Sequence, residues 1–271
     1  MIISKTPLRV SLFGGGSDYK GFYSQYGSRL IGFCIDKYSY ISLRRTPAIF
    51  PFRSSVSYSK TELVGNNRDI QHNGVRGVLE YLNITHGVEI SYAGDLPAQT
   101  GTGSSSSFIV GLLNAIYTLK NKKVSKKQLA EQAIHIEREL LCEPGGVQDQ
   151  IWAAYGGINS IEIKKDGDFE VKPLPISREF VQEFIDRSLL IYTGKTRKSF
   201  RIANDVGSKD NYSQKKNILD ISNKAYDAFL QSDIDKIAYH LANSWENKKQ
   251  LSPLVCPKHV DSLYNTLESL G

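Results

Sequence analysis

Residues 97–107 read Pro-Ala-Gln-Thr-Gly-Thr-Gly-Ser-Ser-Ser-Ser, two glycines and then four consecutive hydroxyls, between a strand-like stretch ending at Ala93 and a long apolar helix. Such a loop can turn successive backbone N–H groups toward one point, and the N-terminus of the following helix adds its positive end. This is the chemistry of a phosphate cradle. The hydroxyls of Ser104, Ser105 and Ser106 can add hydrogen bonds or ligate Mg²⁺, which takes oxygen donors. A Ser/Gly linker into a capped helix is the plainer reading, but a cap needs one Ser, not four. The commoner nucleotide loop, Gly-x-x-x-x-Gly-Lys-[Ser/Thr], is absent. Gly194-Lys195-Thr196 copies its end, but Leu189 stands where its first Gly belongs.

Hydrophobic periodicity places this loop in a mixed chain. Residues 2–13 alternate as a strand, Gly14-Gly15-Gly16 breaks it, and Asp18 is positioned to cap a short helix. Further strands are expected at 29–45, 54–58, 88–93, 157–163 and 188–193, the last reading Ser-Leu-Leu-Ile-Tyr-Thr. Phe108, Leu112, Ala115, Ile116 and Leu119 share one face of a helix over 104–119, and Leu129, Ala133, Ile136 and Leu140 do so over 126–141. Pro144-Gly145-Gly146 stops the second helix, and a short third begins at Val147. Beyond about residue 197 the pattern is helical, over 211–230, 233–249 and 257–269. The shift toward helix near residue 170, marked by Asp166-Gly167-Asp168 and Pro173–Pro175, suggests two domains, 1–170 and 171–271.

The rest of the composition excludes more than it selects. No run of about 18 apolar residues occurs, and Lys5 and Arg9 interrupt the N-terminal apolar stretch, so neither a membrane span nor a signal peptide is expected and the reading is of a cytoplasmic protein. Cys34, Cys142 and Cys256 are far apart and lack ligand spacing, which argues against a disulfide framework or a zinc site. The net charge of +6 is scattered and accompanies no nucleic-acid motif, so no nucleic-acid partner is expected.

Two carboxylates follow the loop. Glu137 lies on the helix after the loop helix, and Asp149 lies just past the Pro-Gly-Gly turn, where a short break can aim it back toward the same place. Phosphoryl transfer uses a metal anchor and a group that orients or deprotonates the attacking hydroxyl. A solvated Glu beside Arg138 is the bland alternative for Glu137. A basic turn, Lys195-Thr196-Arg197-Lys198, ahead of a helix near Ser199, is either a solvated turn or a clamp for an anion.

Three segments, in this order, resemble the GHMP kinase family of small-molecule kinases: Thr6-Pro-Leu-Arg-Val-Ser-Leu-Phe-Gly-Gly-Gly-Ser-Asp-Tyr19, the 97–107 loop, and Glu137 with the later Gly-Gly-Val-Gln-Asp149-Gln150. The first is most similar to that of D-glycero-D-manno-heptose 7-phosphate kinases, where a Gly-Gly-Gly run replaces a Glu-His pair of galactokinases. The Tyr192–Lys198 segment also fits the heptose branch. The resemblance implies an α+β, two-domain fold: an N-terminal ATP-binding domain like the second domain of ribosomal protein S5, with a left-handed crossover, and a ferredoxin-like C-terminal substrate domain, the cleft between them holding both substrates.

By the same resemblance, Pro97, Gly101, Thr102, Gly103, Ser104, Ser105 and Ser106 hold the ATP phosphates, and Ser104 and Glu137 ligate Mg²⁺. Asp149 accepts the hydroxyl proton with Arg9 beside it, Gly15, Gly16 and Asp18 meet the sugar, and Lys195 and Arg197 hold its phosphate. The family's third glycine-rich segment is expected after Leu263–Gly271, so the C-terminal domain is expected to be incomplete. Fucokinase-like relatives share the Gly-rich opening. A non-catalytic nucleotide or sugar-phosphate binder on this fold is the main rival, against which Glu137 and Asp149 argue. An RNA-binding module is a second rival, but the basic residues do not cluster with aromatics. The sugar, the hydroxyl attacked and the oligomeric state stay open.

Overall fold

The computed structural model describes residues 1–194, 199–208 and 211–269. The fold is α+β, and the chain divides into two compact units. Each unit draws on three stretches of sequence, whereas composition suggested a single boundary near residue 170. Strands β1 (Ile2–Phe13) and β2 (Ser28–Arg45) contribute residues to both units, so no single cut separates them.

The first unit comprises Met1–Val10, Cys34–Glu143 and Asp149–Gly157. Its strands run β4 (Thr61–Val64), β3 (Ser54–Ser57), β5 (Val88–Gly94), then the C-terminal part of β2, with β1 also paired to β2. Residues Ser39–Arg45 of β2 run antiparallel to β5, and β3 runs parallel to β5. Helices α2 (Asn73–Tyr81), α3 (Ser104–Leu119) and α4 (Lys126–His135) pack on this sheet. Their core joins Ile41, Leu43, Val56 and Ile90 to Val75, Val78, Leu112, Ile116 and Ala133. Phe108, Ile109, Val110, Leu112 and Leu113 are all buried, so α3 is covered on nearly every side and its start is fixed by packing as well as by propensity. Capping of α4 is reciprocal: Ser125 Oγ accepts from Gln128 N at 3.1 Å, and Gln128 Oε1 accepts from Ser125 N at 3.0 Å.

The second unit comprises Ser11–Phe33, Pro144–Gln148 and residues from Ile158 onward. Here Ser28–Phe33 of β2 run antiparallel to β6 (Ile158–Ile163), which pairs with β7 (Phe169–Pro173). Helices α1 (Lys20–Tyr26), α6 (Arg178–Asp186), α7 (Ser199–Ser208), α8 (Tyr212–Leu230), α9 (Ile234–Leu251) and α10 (Lys258–Glu268) complete it. Phe13, Ile31, Phe180, Ala225, Phe229 and Ile237 form one core, and Val206, Ile218 and Leu251 a smaller one. The α8–α9 hairpin turns through Ser232 at φ 51°, and Asp233 caps α9 by accepting from Lys236 N at 3.0 Å.

Most expected elements form, including α3 at its expected limits. Three differences have physical reasons. Residues 188–193 make no strand, and Leu189 is 88% exposed: strand propensity without a pairing edge fixes nothing. Helix α2 is not expected from the sequence, because Gly74 and Gly77 lower its intrinsic propensity, yet a Cβ at Gly77 would stand 3.1 Å from Leu141 Cδ2, so the packing there asks for glycine. Asp18 does not cap α1, whose N-cap is Tyr19; its carboxylate turns instead to backbone amides. No described helix is long and apolar enough to cross a membrane.

Candidate active site

Strand β1 carries Arg9 to the 97–107 loop and ties it twice. Its backbone N–H donates to Thr102 O at 3.1 Å, and its Nη1 donates to Gly101 O at 2.6 Å. Ser107 Oγ donates to Pro7 O at 2.8 Å, so the first turn of α3 is fastened to the same strand. The loop also binds itself, Thr100 Oγ1 lying 3.2 Å from Pro97 O and 3.0 Å from Thr102 Oγ1. Gly103 is the N-cap of α3 and sits at φ 76°, left-handed backbone that favours glycine. A Cβ there would lie 3.4 Å from Arg9 Cγ and 3.6 Å from the Asp149 carboxylate, filling the space above the helix end.

Asp149 occupies the first turn of α5 (Gln148–Tyr155), where the helix dipole favours a negative charge. Arg9 Nε and Nη2 both donate to its Oδ1, at 3.0 and 2.7 Å. The second oxygen, Oδ2, is 3.6 Å from the position a Gly103 Cβ would take. The pair is only partly buried, 15% and 27% exposed, so solvent or a ligand can reach it.

Glu137 lies on a π-helical turn, Ile136–Leu140, which continues α4. Such turns often mark functional positions, because one extra residue re-aims the side chains. The carboxyl is 1% exposed. Its Oε2 accepts from Ser106 Oγ at 2.8 Å and from Gln150 Nε2. Burial pushes the Glu137 carboxyl up to about 7 against the opposing pull of Arg138 and of its two donors. The solvated Glu that a lone helical position suggests is therefore not what forms.

Among the loop hydroxyls, Ser104 is partly buried, Ser105 exposed and Ser106 buried. The structure thus brings Ser106, not Ser104, onto Glu137, and it adds Gln150, a fully buried amide to which the sequence alone assigns no role. The donor set of Glu137 and the neighbouring hydroxyls is oxygen only, with one carboxylate, which fits Mg²⁺: that ion keeps waters and takes phosphate oxygens as further ligands.

In the second unit, Asp18 is 1% exposed. Its Oδ1 accepts from Gly16 N at 3.0 Å and its Oδ2 from Gln148 N at 3.2 Å. A Cβ at Gly146 would stand 1.8 Å from Asp18 Oδ2, so only glycine fits at that approach. Gly15 and Gly16 lie on the turn that Asp18 holds. Lys195 and Arg197 lie outside the described residues.

A positive helix end under a glycine-rich loop, an arginine-held carboxylate with one oxygen to spare and a buried carboxyl suited to a cation answer the needs of phosphate, acceptor hydroxyl and metal. Such an arrangement suits phosphoryl transfer from ATP to an alcohol. Residues 73–157 match the GHMP kinases N terminal domain. The chain is 27% identical to D-glycero-alpha-D-manno-heptose 7-phosphate kinase of Campylobacter jejuni, over 97% of this chain and 81% of that one. It is 30% identical to galactokinase of Pyrococcus furiosus over 72% of this chain, but spans only 54% of that enzyme. The crystal structure of a D-glycero-D-manno-heptose 1-phosphate kinase from Bacteroides thetaiotaomicron superposes with a TM-score of 0.77 at 26% identity, covering 92% of this chain and 80% of that one. The chain thus carries a GHMP kinases N terminal domain at residues 73–157 and is similar along most of its length to kinases that share it.

Proposed function

We propose that this chain moves the γ-phosphoryl group of ATP onto a hydroxyl of a sugar phosphate, with D-glycero-D-manno-heptose 7-phosphate as acceptor. The observation that carries the reading is the Arg9–Asp149 pair: Arg9 engages Oδ1 with two nitrogens and holds the loop through Gly101 O, which leaves Asp149 Oδ2 to accept the proton of an acceptor hydroxyl. The names of the Campylobacter and Bacteroides relatives support a heptose phosphate as acceptor.

In this reading Pro97, Gly101, Thr102, Gly103, Ser104, Ser105 and Ser106 surround the phosphates of ATP, with the N-terminus of α3 facing their charge. Ser104 and Glu137 would hold Mg²⁺, which supplies charge neutralisation as the bond to the leaving phosphate breaks. A cation beside Glu137 favours its ionised form, against the burial that raises it. Asp149 takes the hydroxyl proton, help typically worth 10² to 10⁴ in rate. Arg9 orients Asp149 and keeps the phosphate loop in register with it. Gly15, Gly16 and Asp18 would face the sugar, Asp18 chiefly by fixing the turn, and Lys195 and Arg197 would meet its existing phosphate.

The test is a phosphoryl-transfer screen of the purified chain with Mg-ATP against heptose 7-phosphate, fucose, mannose and galactose, following ADP release and product mass. The heptose 7-phosphate should exceed each unphosphorylated sugar in kcat/KM by about 10² or more, as expected when a site built for a polar group meets a substrate lacking it. Equal rates on fucose would replace the acceptor assignment, and no transfer to any sugar would remove the reading.

A further inference from the structure

Helix α5 carries two consecutive polar residues whose surroundings differ. Asp149 is partly exposed on Arg9, whereas Gln150 is 0% exposed and is followed by Ile151 and Trp152, which are sealed as completely. Packing in the first unit therefore fixes the register of this helix and, with it, the Gln150 amide. Gln150 Nε2 donates to Glu137 Oε2, and Ser106 Oγ donates to the same oxygen at 2.8 Å. Both donors thus end on one oxygen of the carboxylate, and no described residue donates to the other, Oε1.

On packing grounds alone a glutamine is a poor choice at position 150. Its Oε1 is buried and has no hydrogen-bond partner among the described residues. A buried acceptor left unpaired costs stability, and methionine, an apolar side chain of the same length, would bring none. Turning the amide over gives no relief, because it would set Oε1 against a carboxylate oxygen in place of the donating Nε2. The unpaired Oε1 has an explanation if Gln150 is kept for the bond its Nε2 makes to Glu137. Two donors on Oε2 fix the plane of that carboxylate and leave Oε1 as the oxygen that can meet a cation. Carboxylates that ligate metals are commonly held this way, by hydrogen-bonding partners that orient them.

We propose that Gln150 is a positioning residue for the metal: with Ser106 it clamps Glu137 Oε2, so that Oε1 is presented to the divalent cation that accompanies the nucleotide. This rests on the kinase reading given above, in which Glu137 ligates Mg²⁺. Asp149 directly precedes Gln150 in the first turn of α5. One rigid turn then sets both carboxylates, Asp149 by carrying it and Glu137 through the Gln150 amide. Gln150 itself touches neither substrate nor metal.

Calorimetric titration with a non-hydrolysable ATP analogue, in Mg²⁺ and in EDTA, tests the proposal without relying on turnover. In the parent, Mg²⁺ should tighten the analogue. Gln150→Met should cut that gain by about tenfold, the lower end of what losing a partner of a metal ligand costs, while the affinity in EDTA stays within about twofold. A general loss of packing would instead weaken the analogue equally in both buffers. Gln150→Leu should give the same loss of gain, which keeps the test decisive if the methionine variant folds poorly. In a Glu137→Gln background, Gln150→Met should change the gain by less than about twofold, because the carboxylate it positions has gone. An unchanged gain in Gln150→Met, equal weakening with and without metal, or the full effect persisting in the Glu137→Gln background would overturn the inference. No Mg²⁺ gain in the parent would remove the metal reading of Glu137 and this inference with it, whereas a parental gain that Gln150→Met preserves removes this inference alone.

Discussion

The loop at 97–107 and the turn at 14–16 are both glycine-rich and both begin near the end of a strand, but they are held differently. The first is laced to β1 through the backbone and side chain of Arg9 and through Ser107, and the carboxylates nearby, Asp149 and Glu137, each have donors already in place. The second is tied by Asp18, which accepts from Gly16 N, and by Ser17, whose N–H and hydroxyl donate to Gly14 O, and beside it Ser11 Oγ and Gln148 Oε1 have no hydrogen-bond partner among the described residues. A frame that is complete before substrate arrives suits chemistry, because donors fixed in advance need not reorganise as charge develops. A turn with polar atoms unspent suits recognition, since the ligand that satisfies them is chosen over one that does not.

Removing Arg9 strikes at that contrast hardest. Arg9→Met frees Asp149 Oδ1 and Gly101 O together and should lower kcat/KM by about 10² or more, three charge-assisted hydrogen bonds being lost at once. If kcat/KM changes by less than about threefold in steady-state assays, the lacing is ornamental and the two loops are alike. The metal site offers a smaller effect. Glu137→Gln should raise the Mg²⁺ concentration needed for half-maximal rate by about tenfold, and Ser104→Ala by less, as each removes one oxygen ligand. Identical Mg²⁺ titrations for both variants and the parent would remove these residues from the metal site.

The smallest effect sharpens the comparison from the side of stability. With its carboxyl raised to about 7 by burial, Glu137 holds a proton in the native state that the unfolded chain releases near its ordinary value of 4.5. In EDTA the resulting contribution is complete below about pH 4.5 and is lost as the pH rises through about 7. Glu137→Gln should therefore gain on the parent in Tm by a few degrees between about pH 5 and pH 8, the shift expected of roughly one kcal/mol. Parallel Tm curves for parent and variant across that window would show that the buried carboxyl does not titrate there.

Much of this was legible in the sequence, and what was not has a common cause. The α3 helix, the helical position of Glu137 and the short helix that carries Asp149 in its first turn follow from periodicity and from breaks at Pro144-Gly145-Gly146, features written in consecutive residues. Arg9 came from resemblance, but its grip on Gly101 O did not, because a contact spanning 92 positions leaves no trace in spacing. Gln150 and Ser106 on Glu137 are hidden for the same reason: each is an ordinary polar residue until the fold sets it against its partner. Residues 188–193 show the converse, a strong local strand pattern with no edge to join among the described residues.

The account turns on Asp149 Oδ2 receiving the acceptor proton while Arg9 holds Oδ1, and rapid-quench single-turnover kinetics with the preferred sugar phosphate address that step apart from binding and release. Asp149→Asn should slow the phosphoryl-transfer step by about 10² or more, with the affinity for Mg-ATP nearly unchanged. A single-turnover rate within about threefold of the parent would contradict the assignment and leave positioning by the loop as the source of catalysis.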